Sequence, residues 1–293
     1  MTSLDVSCSR TQKSGRPLGA TAIAIREAVM NLTELYDRMT VRGAYYQLVG
    51  PGVVAKTEGG YRQVQKQVLA MRRAGLLDWS FITDGTRWQR KPRSWDRVED
   101  AMDHMANTYR RHLWQDQDVR IEVWLEKDAL ADVITDVTTR WDVPLMVSRG
   151  QSSATFLWNA AQAAREAWEY DLVSTVIYAL YDRDAGGRRA ARGVENGLRE
   201  FAPDVPISFE LLSVTDEQVH AWNLPTRPAK KSDPEAAKFE GDAVELDAVP
   251  PDKLIGLVED AIVAHIDPHA WEVQQAIEAE EKAGLLALLK GRS

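Results

Sequence analysis

The chain has 293 residues, of which 44% are hydrophobic and 27% are charged, a composition typical of globular proteins. No apolar run approaches the roughly 20 residues that a membrane-spanning helix needs, so the sequence predicts no membrane protein. The single cysteine, Cys8, excludes an intrachain disulfide. Together with an N-terminal stretch that lacks the apolar core of a signal peptide, these features predict a cytoplasmic protein.

Charge is distributed unevenly along the chain. Residues 1–115 carry 18 Lys and Arg against 11 Asp and Glu, whereas the remainder carries 18 against 33. A basic segment attracts polyanions such as nucleic acids, and an acidic segment repels them unless cations shield its carboxylates. Charge alone does not distinguish a DNA-binding first part from a chance distribution of charged residues.

The first part is predicted to be a flexible arm over residues 1–18 and a helical domain over residues 19–115. Its predicted elements are a helix over 20–38, a helix over 41–49 with Thr40 as its N-cap, a helix between Gly60 and Gly75, a strand over 79–82, and a turn at Asp84-Gly85. Three helices followed by a strand and a turn are typical of a winged helix-turn-helix, which places one helix in the DNA major groove. The alternative is a helical domain with a solvated basic face.

Candidate DNA contacts lie on and after the third predicted helix, whose apolar residues recur at helical spacing. The basic residues on its other faces are Arg62, Lys66, Arg72 and Arg73. A compact polar turn follows, with Asp84, Thr86 and Arg87. For that turn a purely structural role is the simpler interpretation.

From residue 119 onward, β-rich runs alternate with helical stretches. Strands are predicted over 119–126, 143–149, 173–182 and 207–213, with helices over 127–140, 152–168 and 186–201 between them. This alternation predicts an α/β domain over 119–266 with a parallel sheet covered by helices. A loop over 225–233, a helix over 250–266 and a C-terminal helical segment over 267–293 complete the chain.

Acidic residues follow two of the predicted strands. Glu126 closes the run IEVWLE, and Asp182 and Asp184 follow the run VIYALY, with Gly186-Gly187 opening the next helix. The carboxyl ends of parallel strands form the edge at which such sheets bind ligands. Three carboxylates at that edge suit a hard cation, so we expect Mg²⁺, with Mn²⁺ as a substitute. Taken singly these signals are weak, because an acid at a strand end is often a helix N-cap and a DxD pattern often occurs by chance.

The motifs WLEKDAL and YDRDAGG resemble the Toprim domain of topoisomerases, bacterial primases and some nucleases. The resemblance implies that Glu126, Asp182 and Asp184 bind Mg²⁺, and Lys127 matches a Glu-Lys pair seen there. Lys127 is also a candidate phosphate contact. Arg149 is a further candidate, because Arg149-Gly150 at a strand end resembles a basic-Gly pair of the topoisomerase VI family, and a surface strand end is its alternative.

The upstream segment TVRGAYYQLVG is similar to the R-x-x-[YF]-Y signature of the topoisomerase VI A subunit and the related meiotic break-forming transesterase. In that family a winged helix carrying the Tyr precedes a Toprim domain. The segment FEGDAVELDAVPPDKLIGLVEDAI resembles the end of the family's Toprim region, so the resemblance spans roughly residues 20–265 and includes phage- and prophage-encoded chains. It implies that Tyr46 is the nucleophile. Gly43-Ala44 depart from the family, which has an acid and a larger apolar residue there.

The physical chemistry of the Tyr46 helix agrees with this interpretation. A phenol has a pKa near ~10 and needs activation before it attacks phosphorus. Arg42 lies one helical turn earlier, where it can stabilise a phenolate or hold the scissile phosphate. Tyr45 points about 100° away, so one ring can be exposed while the other is buried. Two core aromatics on an amphipathic helix are the alternative.

The sequence and this resemblance therefore predict metal-dependent cleavage of double-stranded DNA, and the resemblance implies that Tyr46 forms a 5′-phosphotyrosyl link. The family resemblance implies a homodimer in which the Tyr of one subunit works with the partner's metal site. Because the chain has no P-loop, any ATP-driven strand passage would need a separate ATPase subunit. The alternatives are a Toprim nuclease that uses a metal-activated water, a DNA-binding or regulatory protein without catalysis, and a DxD phosphotransferase acting on small molecules.

Overall fold

The computed structural model describes residues 18–83, 93–228 and 241–290. Within these ranges the chain is an α/β protein with a four-stranded parallel sheet. The predicted arm up to residue 17, the turn with Asp84, Thr86 and Arg87, and the predicted loop beyond residue 228 lie outside the described residues. None of the helices in the described ranges has the length and apolarity to cross a membrane.

The first part of the chain is mostly helical. Its elements are α1 (Ala20–Leu35), β1 (Met39–Thr40), α2 (Val41–Val49), α3 (Glu58–Arg73), a 3₁₀ turn (Trp79–Phe81), β2 (Ile82–Thr83) and α4 (Val98–Thr108). The predicted helix over 41–49 is confirmed, including its cap: the Thr40 side chain accepts a hydrogen bond from the Gly43 N–H. Thr57 caps α3 in the same way. Each cap satisfies a backbone donor that the first helical turn leaves free.

The predicted strand over 79–82 is wrong for its first three residues. The Asp78 side chain accepts a hydrogen bond from the Ser80 N–H and starts a 3₁₀ turn over Trp79–Phe81. Only Ile82–Thr83 is extended, and it pairs in parallel with Met39–Thr40. A short Asp side chain thus competes with the extended conformation by bonding to its own backbone.

The second part alternates strands and helices as predicted. Its elements are β3 (Val119–Leu125), α5 (Ala131–Arg140), β4 (Leu145–Val147), α6 (Ala154–Asp171), β5 (Ser174–Leu180), α7 (Ala185–Phe201), β6 (Ile207–Ser213), α8 (Asp216–Ala221), α9 (Pro251–Val263) and α10 (Pro268–Lys290). The strand order is β4-β3-β5-β6, with every pairing parallel. β3 and β5 are neighbours and pair from Val119–Ser174 to Leu125–Leu180. The residues that follow these two strands therefore emerge side by side.

Side chains of the sheet alternate between two apolar layers, as the pleat of a strand requires. Trp124 and Ile177 face a layer with α6 and α7, whereas Val123 and Leu180 face the opposite layer. That second layer also contains residues of α1, α2, α3 and α9. The helical first part consequently shares one apolar core with the sheet, and this packing holds α2 close to the second part of the chain.

Candidate functional site

Glu126 and Asp182 lie together at the carboxyl edge of the sheet. The Glu126 N–H donates to the Leu180 carbonyl at 3.0 Å, which extends the pairing of β3 and β5 by one residue. The Asp182 N–H then donates to Glu126 Oε2 at 2.9 Å. Two carboxylates predicted from separate motifs are thus neighbours, because their strands are adjacent and parallel.

Asp184 begins α7. Its Oδ1 accepts a hydrogen bond from the Gly187 N–H at 2.8 Å, and its Oδ2 lies 3.1 Å from a terminal nitrogen of Arg227. A Cβ on residue 187 would lie 2.2 Å from the Asp182 carbonyl oxygen, so only glycine fits where the helix starts this close to the strand end. Asp184 therefore has the role of an N-cap as well as that of a candidate ligand.

A distant segment crosses the DxD segment (Asp182–Asp184). Val244 pairs in an antiparallel bridge with Arg183, and the Leu246 N–H donates to Asp182 Oδ1 at 2.8 Å. This brings two further carboxylates, Glu245 and Asp247, to the same edge. The sequence assigned no role to either, although both lie in the segment that resembles the end of the Toprim region. Their signal was acids placed between apolar residues in AVELDAV.

Lys127 lies among these acids. Its Nζ is 2.9 Å from Asp182 Oδ1, 2.8 Å from Asp247 Oδ2 and 3.6 Å from Glu245 Oε2. Burial opposes the charged amine, but Asp247 and Asp182 raise the pKa of Lys127 well above its usual value. The ammonium group thus compensates carboxylates here, beside its predicted role as a phosphate contact.

Glu126 carries the clearest sign of crowded acids. Burial, followed by the nearby charge of Asp182, raises the pKa of Glu126 to about 7. Among the described residues, no group of three or more His, Cys, Asp and Glu side chains is arranged as a metal site. Carboxylate oxygens are the donor type that Mg²⁺ prefers, and the raised pKa of Glu126 indicates that its charge is incompletely compensated. Glu126, Asp182 and Asp184 are the residues that would hold the ion.

Tyr46 faces this edge from α2. Tyr46 is only 4% exposed. Burial and the charge of Glu245 raise the pKa of Tyr46 above its usual value, while Arg42 and Lys127 oppose that increase. Arg42 Nε is 2.7 Å from Glu245 Oε2, so the arginine of the predicted Arg–Tyr pair forms an ion pair with this carboxylate.

Tyr45 points elsewhere, as helical geometry predicts. Its hydroxyl donates to the Thr57 carbonyl at 3.3 Å, and its ring packs edge-on against Tyr61. Both rings of the YY pair are buried, so the expectation that one of them is exposed is wrong. The reason is that α2 is covered on one side by α3 and on the other by residues 245–248.

The departure at Gly43-Ala44 has a packing reason. Both residues are buried, and a Cβ on residue 43 would lie 3.3 Å from Thr40 Oγ1 and 3.8 Å from the Asp247 carbonyl oxygen. An acidic side chain at position 43 would therefore need its neighbours to shift. Small residues here let α2 approach the Asp247 segment closely.

The remaining candidate phosphate contacts lie outside this cluster. Arg149 has a left-handed backbone (φ 51°), and its exposed guanidinium lies 3.3 Å from Asp128. Along α3, Arg62 pairs with Glu58, whereas Lys66 and Arg73 are exposed. Arg72 stacks on Trp79 at 4.2 Å and donates to its carbonyl oxygen.

No protein-family model matches the chain, and no curated protein matches it. The geometry of this site and the motifs that it contains are therefore what indicates its function.

Proposed function

We propose that this protein cleaves double-stranded DNA by tyrosine transesterification with a divalent cation. The proposed layout is a winged-helix-like domain over 19–115 followed by a Toprim domain over 119–266. Tyr46 is the proposed nucleophile, and Glu126, Asp182 and Asp184 are the proposed Mg²⁺ ligands. Bound there, Mg²⁺ would neutralise charge that develops on the phosphate.

One observation carries this proposal: α2 packs against the carboxyl edge that bears the DxD segment. Arg42 lies 2.7 Å from Glu245, Glu245 lies 3.6 Å from Lys127, and Lys127 in turn lies 2.9 Å from Asp182. Motifs from distant parts of the sequence thus share one set of contacts. A purely apolar packing role for Tyr46 does not require the nearby charges of Glu245, Arg42 and Lys127.

Residues of this chain have separate roles in the proposed reaction. Arg42, 44% exposed at its side chain, can hold a phosphate oxygen while it stays near the Tyr46 hydroxyl. The exposed Lys66 and Arg73 of α3 supply contacts to the DNA backbone. Because Tyr46 is buried, α2 must move relative to residues 245–247 before a phosphate can reach its hydroxyl.

The contacts described join Tyr46 to acids of its own chain. The family resemblance implies instead that each Tyr works with the partner's metal site in a homodimer. Both arrangements use the same residues, and mixing Tyr46→Phe with Asp182→Asn subunits distinguishes them. Restored cleavage in the mixture indicates sharing between subunits.

The burial of Tyr46 favours a second candidate, a nuclease in which a metal-activated water attacks the phosphate and Tyr46 is structural. In that case Glu126, Asp182 and Asp184 keep their roles, and no covalent protein–DNA adduct forms. The two candidates therefore differ in a product that can be isolated.

The deciding experiment is incubation with supercoiled DNA and Mg²⁺ or Mn²⁺, followed by denaturation with and without protease. We expect DNA breaks with attached protein, and we expect Tyr46→Phe to abolish them while DNA binding stays within about twofold, since one hydroxyl is lost and the ring stays. Tyr45→Phe is the matched control and retains most cleavage. Cleavage that persists in Tyr46→Phe would leave the nuclease as the function.

A further inference from the structure

Arg26 lies in the buried face of α1, where helix packing favours apolar side chains. The buried residues of this helix are Ile25, Arg26, Val29 and Leu32, at the spacing of one helical face. Arg26 is only 5% exposed, and α1 packs against α3. The apolar stem of an arginine is compatible with such a position, but its charge is costly there unless an anion compensates it.

Arg26 has no anionic partner among the described residues. Its Nε donates to Gln67 Oε1 of α3 at 2.9 Å, and this acceptor is a neutral amide. Burial lowers the pKa of Arg26 below its usual value, and no nearby acid opposes this change. The guanidinium nevertheless stays charged, because the pKa of an arginine lies far above neutral pH. The fold therefore holds an enclosed positive charge that it does not itself compensate.

Two other arginines show what the fold does elsewhere. Arg120 and Arg227 are more exposed than Arg26, yet each has a carboxylate partner. Arg120 lies 2.6 Å from Glu122, and Arg227 lies 3.1 Å from Asp184. The missing counterion of Arg26 is thus not the rule for partly enclosed arginines in this protein.

The terminal nitrogens of Arg26 reach the surface between α1 and α3. Neither has a hydrogen-bond partner in the described part of the chain, and neither is an unpaired atom sealed from solvent there, as Arg72 Nε is. Gln67 fixes the guanidinium through Nε, so the terminal N–H groups stay available. Lys66, one residue before Gln67, is exposed and adds positive charge to the same helix.

We propose that Arg26 is a phosphate-binding residue, whose terminal N–H groups at the junction of α1 and α3 hold one phosphate group of the DNA backbone. This inference deepens the DNA binding proposed above and rests on it. A guanidinium donates two parallel hydrogen bonds to phosphate oxygens, and the phosphate supplies the missing counterion. Since only the tip of Arg26 is accessible, it suits a phosphate that projects from a large surface better than an enclosed small molecule.

The first test is thermal unfolding of wild type and Arg26→Met in inorganic phosphate and in chloride, at equal ionic strength and with a chelator present. Methionine keeps an apolar stem and removes the charge. Phosphate at about five times its Kd for this site should raise the Tm of wild type by about 2 °C more than that of the variant. Phosphate bound elsewhere acts on both proteins, so the difference between them reports Arg26.

An equal response of the two proteins to phosphate would overturn the assignment. If the methionine variant does not fold, Arg26→Gln gives the same comparison, because glutamine also lacks the charge. The matched control is Arg199→Met on α7, an arginine that already pairs with Glu195 at 2.9 Å. It should respond to phosphate as wild type does.

The second test is DNA binding without Mg²⁺, measured by fluorescence anisotropy over a salt series. Arg26→Met should lower the affinity about tenfold and reduce the slope of log K against log salt by about 1, whereas Arg199→Met should bind as wild type does. If the response to inorganic phosphate depends on Arg26 but the DNA slope does not, the site takes a free anion and the DNA contact is overturned.

Both tests measure binding and need no cleavage, so they separate this inference from the transesterification. If DNA binding depends on Arg26 but no protein–DNA adduct forms, the phosphate site stands and the transesterification fails. If wild type forms the adduct while both measurements ignore Arg26, only the role of Arg26 is overturned.

Discussion

At the scale of single residues, Glu126 links local charge to the stability of the whole protein. Its pKa is raised from 4.5 to about 7 by burial and by Asp182, so the folded state prefers the protonated form. Between these two values the folded chain binds more protons than the unfolded chain. The contribution of Glu126 to the free energy of unfolding is therefore complete below its unfolded pKa of 4.5 and is lost as the pH rises through its folded pKa of about 7.

Glu126→Gln should therefore stabilise the metal-free protein at pH 8 and leave it nearly unchanged at pH 4, with a difference of about 1–3 kcal/mol. Urea unfolding in the presence of a chelator at both values of pH measures it. At pH 8, excess Mg²⁺ should restore the stability of the wild-type protein, but it should not increase the stability of Glu126→Gln. Equal pH profiles for the two proteins would contradict the assignment.

Gly187 shows how a single hydrogen atom permits the DxD edge to form. A methyl group there would lie 2.2 Å from the Asp182 carbonyl oxygen. Gly187→Ala should cost about 1–3 kcal/mol of unfolding free energy and weaken Mn²⁺ binding, because strand end and helix start must separate.

Gly193 lies in the same helix, and a Cβ at this position would have no neighbouring heavy atom within 4 Å to clash with. It is therefore a matched control. Gly193→Ala should stabilise the protein by about 0.5–1 kcal/mol, the ordinary helix preference for alanine. Urea unfolding of both variants compares them. Similar effects at the two positions would show that the close approach at Gly187 is unimportant.

At the scale of elements, the N-cap residue of α2 makes two hydrogen bonds, one within the helix and one to a distant segment. Thr40 Oγ1 accepts from the Gly43 N–H at 2.8 Å and donates to Asp247 Oδ1 at 3.0 Å. Thr57 caps α3 through the Gly60 N–H alone. The two threonines therefore compare a cap that reaches the candidate site with an ordinary one.

Thr40→Ala should destabilise the protein by about 2–3 kcal/mol, against about 1 kcal/mol for Thr57→Ala. The additional loss comes from a buried carboxylate that retains Lys127 but loses its hydroxyl partner. Chemical denaturation measures both variants, which should keep similar slopes with denaturant. An equal loss at the two caps would mean that the bond to Asp247 contributes nothing.

Much of this element framework was predictable from the sequence. Helix periodicity and capping residues gave α2 and α3, and β-rich runs gave the strands whose ends carry Glu126 and Asp182. The 3₁₀ turn over Trp79–Phe81 was missed because one Asp side chain redirects a backbone with strand-like composition. Glu245 and Asp247 were missed as site residues because their contacts join them to α2 across more than 200 residues.

At the scale of the whole molecule, charge is separated along the chain, with 18 basic residues against 11 acidic ones in residues 1–115. Lys66 and Arg73 on α3 face solvent, and Arg62 is exposed beside Glu58. The acids near the sheet edge are partly neutralised by Lys127 and Arg42. DNA binding should consequently depend on α3 and weaken strongly with salt.

Replacing Arg62, Lys66 and Arg73 together by Gln should lower DNA affinity and reduce the slope of log K against log salt by about 2–3, since each phosphate contact releases about one counterion. A matched triple variant of exposed cations in other helices, Arg140→Gln, Arg199→Gln and Lys253→Gln, should bind nearly as wild type does. Fluorescence anisotropy over a salt series makes the comparison. An unchanged slope in the α3 variant would place the DNA interface elsewhere.

The crossing of the DxD segment by residues 243–247 also bears on how the protein is made. The hydrogen bond between Thr40 and Asp247 cannot form until Asp247, which is 207 residues later in the chain, has been synthesised. While a ribosome is still translating the middle of the chain, the sheet edge already holds Asp182 and Lys127 but lacks Glu245. Nascent chains arrested before residue 243 should accordingly leave α2 undocked and open to proteases. Docking of α2 should begin only once residues 243–247 have left the exit tunnel.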